Sequence, residues 1–374
     1  MYMDRGKRSE LAEVLAICLL GLLLRLFAGR NSLQENGILL AGYDEYYHMR
    51  RILYTVGHFP NTLWFDSYLD YPHGLNITWP PLYDQLSAGI SLALGQHSQP
   101  GVEMVSALLP IILGVAAVAV VYYIVREIFD DRIALLAGFM TAIAPYHILK
   151  TMLGVVDHHS LEVLLLLISL LFLIMALSRP AQRYLLAAGA GMTMAALAYT
   201  WLGADAYLGI FLVYAAIQMT LDLKRGTSSR NMVTTLLAAF GVTLVLILPF
   251  GNDPWLKPSF LGVATIIAAI LLLYAISLLM LNRSVHWAAF PISILLLISA
   301  FLLLSPMLGG LFNVDRLIRA GGEYIFGGNM SGRIAEAEPL FEDTASLSNV
   351  IFSFLGLNIL LSIAGMIALK ECFF

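Results

Sequence analysis

GVEMVSALLPIILGVAAVAVVYYIV, residues 101–125, contains a single charged side chain, Glu103, close to its start. An α-helix crosses the hydrocarbon core of a bilayer with about 20 consecutive apolar residues, so this run predicts a transmembrane helix. Apolar runs of the same kind cover roughly 11–29, 133–148, 161–177, 184–200, 202–220, 232–250, 258–281, 286–306 and 346–369, the third and fifth in chain order being the weakest. That predicts about ten spans and an all-α, polytopic integral membrane protein of 374 residues. The whole composition agrees, with 59% hydrophobic and 12% charged positions, where soluble domains hold about 45–50% and about 25%. A soluble enzyme is therefore excluded. So is nucleic-acid binding, because 21 Lys and Arg stand against 25 Asp and Glu with no basic run. Cys18 and Cys372 lie at opposite ends of the chain and make no disulfide framework.

Arg5, Lys7 and Arg8 before the first span also suit a signal peptide, but the span's length and its internal Arg25 favour a retained anchor. Basic residues in short loops set the orientation. With the N-terminus in the cytoplasm and the spans alternating, twelve of the 21 Lys and Arg fall inside and eight fall in longer outer loops, Arg25 being within the first span. The chain is thus expected in the plasma membrane, N-terminus cytoplasmic. Two outer loops are long, roughly 30–100 and 307–345, and loops of that length are usually functional or disordered. There is no internal repeat, which weighs against transporters built from inverted repeats.

Carboxylates gather on the opposite side from the basic residues. Glu103, Glu162 and Asp205 stand at the N-terminal ends of spans, where the helix dipole favours negative charge. Three other sites ask for more. Gly42-Tyr43-Asp44-Glu45-Tyr46-Tyr47-His48-Met49-Arg50 reads either as a helix cap at Asp44 with an interfacial aromatic girdle, or as a carboxylate placed to bind a divalent cation or accept a proton. Gly154-Val155-Val156-Asp157-His158-His159 offers Asp157 and His159 two residues apart. In extended backbone these point to one side and His158 to the other. Such a pair suits Mn²⁺ or Mg²⁺, although an Asp cap followed by two interfacial histidines is an equal reading. Lys150 places a cation near the same mouth, within reach of a phosphate. The third site, Ser331-Gly332-Arg333-Ile334-Ala335-Glu336-Ala337-Glu338, is an acidic loop segment that by itself suggests only solvation. The topology, derived from the basic residues alone, puts all three on one face.

Together these motifs resemble the catalytic subunit of oligosaccharyltransferase, in its archaeal form, over essentially the whole chain. G-Y-D-E-Y-Y-H-M-R at 42–50 is similar to the family's first-loop acidic motif, which implies that Asp44 binds the metal and contacts the acceptor amide. G-V-V-D-H-H at 154–159 is similar to its second motif in D-x-H form, implying metal ligands Asp157 and His159. Tyr71-Pro72-His73-Gly74 through Trp79-Pro80-Pro81-Leu82 resembles the same first loop. R-I-A-E at 333–336 aligns with T-I-x-E, implying that Glu336 engages the acceptor asparagine, with Arg333 in place of the usual Thr. Lys150 stands where an Arg often faces the lipid phosphate; it keeps the charge and loses the bidentate fork. The family's last spans and its soluble domain with W-W-D-Y-G have no counterpart in these 374 residues, so the chain resembles an N-terminal catalytic half, with a separate C-terminal half as a possible partner.

The resemblance implies a GT-C-type glycosyltransferase that moves an oligosaccharide from a polyprenyl (dolichyl) phosphate or diphosphate donor to Asn in N-x-S/T. An amide nitrogen is a poor nucleophile because its lone pair is delocalised. Asp44 and Glu336 could accept its N–H groups and loosen that conjugation, while Mn²⁺ or Mg²⁺ at Asp44, Asp157 and His159 would neutralise the phosphate leaving group. Two other readings compete. A polyprenyl-phosphate-sugar-dependent protein mannosyltransferase would share a first-loop Asp-Glu pair but leaves D-H-H and R-I-A-E unexplained. A transporter or other non-catalytic membrane protein would place ionisable groups near the bilayer midplane, whereas here they cluster in loops and at span ends.

Overall fold

The computed structural model of the chain describes residues 2–35 and 37–304. Glu336, the loop around it and the tenth expected span lie outside the described residues. Helix α1 (Tyr2–Ala28) leads into a loop that is itself folded. It carries a small hairpin, β1 (Leu33–Gln34) with β2 (Gly37–Ile38), then α2 (Asp44–His58), a second hairpin, β3 (Phe65–Asp66) with β4 (Leu75–Asn76), and α3 (Leu82–Ala93). Helices follow almost without interruption: α4 (Gln99–Ile128), α5 (Asp131–Ile143), α6 (Pro145–Leu149), α7 (His159–Ser178), α8 (Arg183–Ala198), α9 (Ala204–Lys224), α10 (Arg230–Ile247), α11 (Lys257–Asn282) and α12 (Ala289–Leu304).

Six of these are long and apolar enough to cross a membrane: Glu10–Ala28 of α1, and α4, α7, α9, Arg230–Phe250 beginning at α10, and α11. They correspond to the first, second, fourth, sixth, seventh and eighth expected spans. The third and fifth coincide with α5, of 13 residues, and α8, of 16. At about 1.5 Å per residue these reach roughly 20–24 Å, short of an apolar core about 30 Å thick. The ninth is met by α12, which reaches the limit of the described residues.

Helix α1 has its apolar side outward. Leu11, Leu15, Leu19 and Leu23 are exposed at a spacing of one turn, while Val14, Ile17 and Arg25 are buried. Lipid, not water, is the solvent that suits such a surface. The buried guanidinium of Arg25 is fully engaged. It donates to Thr151 Oγ1 at 2.8 Å and to the Gly21 carbonyl at 2.8 Å, and lies 2.7 Å from His147 Nδ1.

These contacts matter because they seize the segment between α6 and α7. Ser32 Oγ donates to the Leu153 carbonyl, Ala41 N–H to the Gly154 carbonyl, and Gly154 N–H to the Ala107 carbonyl of α4. Gly154 takes φ of +89°, a conformation that side-chain-bearing residues rarely adopt. The first loop is tied down separately. Arg50 of α2 grips Asp66 of β3 through two hydrogen bonds, at 2.7 and 3.0 Å. Beneath it, Met49 and Ile52 of α2 pack with Tyr83, Val102, Val156 and Leu161 in one buried cluster.

Gly29, at the end of α1, is the tightest point of this clamp. A Cβ there would lie 2.6 Å from the backbone nitrogen of Leu153 and 2.7 Å from its carbonyl oxygen. Backbone cannot yield as a flexible side chain can, so Gly29→Ala should destabilise the protein by about 1–3 kcal/mol. Thermal unfolding in detergent measures this, and Gly57→Ala, with open space at its Cβ, serves as the control that should stay near the wild type.

Candidate metal centre

Asp157 lies just before α7 and is only 5% exposed. Three imidazoles surround its carboxylate. Oδ1 is 2.7 Å from His158 Nδ1 and 3.3 Å from His48 Nε2, and Oδ2 is 3.3 Å from His159 Nε2. The backbone N–H of His158 also donates to Oδ1, at 2.6 Å. Burial by itself would raise this carboxyl's pKa, but the bond to His158 and then that to His48 hold it far below the ordinary carboxylate range.

The backbone here is not extended. His158 has helical angles, φ −65° and ψ −19°, and α7 starts at His159. The expectation that His158 points away from Asp157 is therefore corrected. Where the chain turns into a helix, the short Asp side chain folds over the next peptide and meets both following rings.

His48 comes from α2, one turn after Asp44, and sequence reasoning did not assign it a role. Its Nδ1 lies 2.6 Å from Asp84 Oδ1, while Arg51 Nη1 lies 2.9 Å from Asp84 Oδ2. His48, Arg51 and Asp84 are all buried. Burial penalises a charged imidazole, yet Asp84 on one side and Asp157 on the other raise the His48 pKa to about 10. A faint signal was present in the sequence. Asp44, His48 and Arg51 are spaced to share a helix face, and Asp84 is a carboxylate in the first turn of an apolar helix.

Of the residues singled out from sequence, Asp157 and His159 are in contact. Asp44 opens α2 in an exposed position, one residue past the helix cap, which is Tyr43. Its neighbour Glu45 is buried. Burial raises the Glu45 pKa, the charges of Asp157 and Asp44 push it the same way, and Lys150 opposes them. Lys150, half-buried just after α6, is thus within electrostatic reach of Glu45, and its ammonium stands 5.9 Å from the Tyr146 ring. Among the described residues two groups converge closely enough to hold a metal ion, with ligand atoms within 4.8 Å of one another: His48, Asp157 and His158, and His158, His159 and Glu162. Asp44 is in neither. Imidazole nitrogens with a carboxylate oxygen make a donor set that fits a divalent cation of borderline softness.

Residues 33–362 match the family described as oligosaccharyl transferase STT3, N-terminal. The chain belongs to this family. It is 30% identical over 353 residues to dolichyl-phosphooligosaccharide-protein glycotransferase 1 of Archaeoglobus fulgidus, covering 93% of this chain and 54% of that protein. It is 34% identical over 232 residues to glycotransferase 2 of the same organism, over 61% of this chain and 37% of the relative. The fold is similar to archaeal oligosaccharyltransferase AglB from A. fulgidus in complex with an inhibitory peptide and a dolichol-phosphate, with a TM-score of 0.82, 24% identity, and coverage of 98% of this chain and 45% of that one. An A. fulgidus oligosaccharyltransferase solved as a complex with Zn and sulfate superposes with a TM-score of 0.69 at 23% identity, over 96% of this chain and 51% of that one. The chain thus spans about half the length of the first of these relatives.

The buried pair of Arg51 and Asp84 gives a direct test of how this family member builds its centre. Asp84→Leu strands the buried Arg51 guanidinium and His48 without their shared carboxylate, so stability should fall by about 3–5 kcal/mol. Replacing both, Arg51→Met with Asp84→Leu, should recover part of the loss. Denaturation in detergent distinguishes the two; equal losses would show that the ion pair does not dominate the site.

Proposed function

We propose that this membrane protein transfers an oligosaccharide from a lipid-linked donor, a dolichyl phosphate or diphosphate, to the side-chain amide of Asn in N-x-S/T. The observation that carries the reading is the buried Asp157 carboxylate, ringed by imidazoles where α7 begins its run across the membrane. A centre there meets a donor whose lipid tail stays in the bilayer. The family match and the dolichol-phosphate and peptide held by AglB support the same substrates.

Asp157 and His159 hold a divalent cation, with Asp44 contributing from the exposed start of α2. The nitrogen-rich surroundings favour Mn²⁺ over Mg²⁺, because imidazole binds softer ions more strongly. Bound there, such an ion would supply positive charge to neutralise a phosphate leaving group. Lys150 supplies a fixed positive charge for the donor phosphate. Asp44, and Glu336 from outside the described residues, accept the N–H groups of the acceptor amide and weaken its conjugation. The acceptor asparagine is positioned by these carboxylates, and looseness of about 1 Å in such positioning costs about 10²-fold in rate. The active site lies on the outer face of the plasma membrane, with the N-terminus cytoplasmic.

Two measurements test this reading. Asp157→Ala should abolish Mn²⁺ binding to the purified protein, and glycopeptide formation from lipid-linked oligosaccharide should need Mn²⁺. Sequon-dependent transfer that survives chelation and Asp157→Ala would overturn the proposal. For orientation, Ser67→Cys and Ser178→Cys, both exposed in the structure, are made in a background without Cys18 and Cys372. An impermeant thiol reagent added outside cells should label position 67 and spare position 178.

A further inference from the structure

Glu162 occupies the first turn of α7, where a carboxylate would ordinarily be explained by the helix dipole. It is 4% exposed, and its contacts run to side chains. Oε1 lies 3.1 Å from His159 Nδ1 and accepts from the Tyr207 hydroxyl at 3.5 Å. Oε2 lies 3.7 Å from His158 Nε2, and these two atoms are both buried with no hydrogen bond of their own.

The same two rings meet Asp157 through their other nitrogens, His158 Nδ1 at 2.7 Å and His159 Nε2 at 3.3 Å. Two carboxylates therefore face two imidazoles from opposite sides, and each ring turns one nitrogen to each carboxylate. A neutral imidazole has one N–H and one lone pair, and an ionised carboxylate can only accept. A cation held at Asp157 needs lone pairs on that side. The N–H groups must then face the other way, where an acceptor that cannot donate fixes them.

We propose that Glu162 is the positioning residue of the metal centre, receiving the N–H of His159 Nδ1 and so presenting His159 Nε2 as the metal-facing nitrogen. The inference rests on the metal-binding reading above and assigns to this chain which nitrogen of His159 binds. Tyr207, on α9, holds the same carboxylate from behind, so the orientation of the ligands depends on a helix distant in sequence.

The test uses the full chain in detergent with Mn²⁺ as probe. Glu162→Ala should weaken Mn²⁺ binding by about 10–100-fold. Glu162→Gln keeps one acceptor oxygen for His159 and should lose less, which holds the test open if the Ala variant folds poorly. Metal-free melting temperatures should stay alike in wild type and Glu162→Gln. In Mg²⁺-loaded protein with ¹⁵N-labelled histidine, His159 should read as the Nδ1–H tautomer in the wild type and as a mixture in Glu162→Ala. Unchanged affinity in both variants, weakened affinity without any tautomer change, or a second Mn²⁺ that disappears with Glu162 would each overturn the proposal. Asp157→Ala separates it from the reading on which it rests. Full Mn²⁺ affinity in that variant removes the metal centre itself, whereas lost affinity there with unchanged affinity in the Glu162 variants removes only the positioning role.

Discussion

A carboxylate buried at the edge of a membrane needs positive charge or hydrogen-bond donors on every side. Asp157 is the group on which that requirement falls most heavily. It is answered by His158 and His159 from the start of its own helix and by His48 from the first loop. The answer then propagates outward. His48 is itself buried and relies on Asp84, which in turn is paired with Arg51. Four buried charged or chargeable groups in a row are tolerable only because their signs alternate. Removing any one exposes a neighbour to the full desolvation cost, which is several kcal/mol per ion.

The backbone around Asp157 is held as tightly as its side chain. Segment 150–158 is neither helix nor strand, and its polar groups are satisfied from three directions: the end of α1, α4 and the strand-like stretch near Leu39 and Ala41. Arg25 contributes most from within the membrane-spanning region. It is a buried cation without a carboxylate partner in its hydrogen bonds, and it is spent on backbone carbonyls, a hydroxyl and an imidazole. Such a residue inside an apolar helix marks a functional neighbourhood. Here its effect is to fix the segment that bears the ligands.

Family membership and this geometry bear on each other. The match covers residues 33–362, from the folded first loop to beyond α12, so His48, Arg51, Asp84 and Asp157 all lie within the matched region. The long first loop earns its length by delivering two buried groups to a centre whose carboxylate lies far along the chain. It is folded by short hairpins, an arginine–aspartate pair and an apolar underside.

The sequence by itself determined the solvent. Runs such as residues 101–125 can be stable only in lipid, and α1, α4, α7, α9, α10 and α11 follow from them, while the weak third and fifth runs yielded helices too short to span unaided. It also singled out Asp157 and His159 as a pair, and the structure brings their side chains into contact. What it could not determine were the partners. His48, Arg51 and Asp84 are joined to Asp157 only by tertiary packing, and their types resemble ordinary surface polar residues until burial is known. The local geometry was also beyond reach, because whether His158 points toward or away from Asp157 depends on where α7 begins. Glu162 illustrates both limits. Its position in the first helical turn was legible and carried a sufficient electrostatic reason, whereas its neighbourhood with Tyr207 exists only because α9 packs beside that turn.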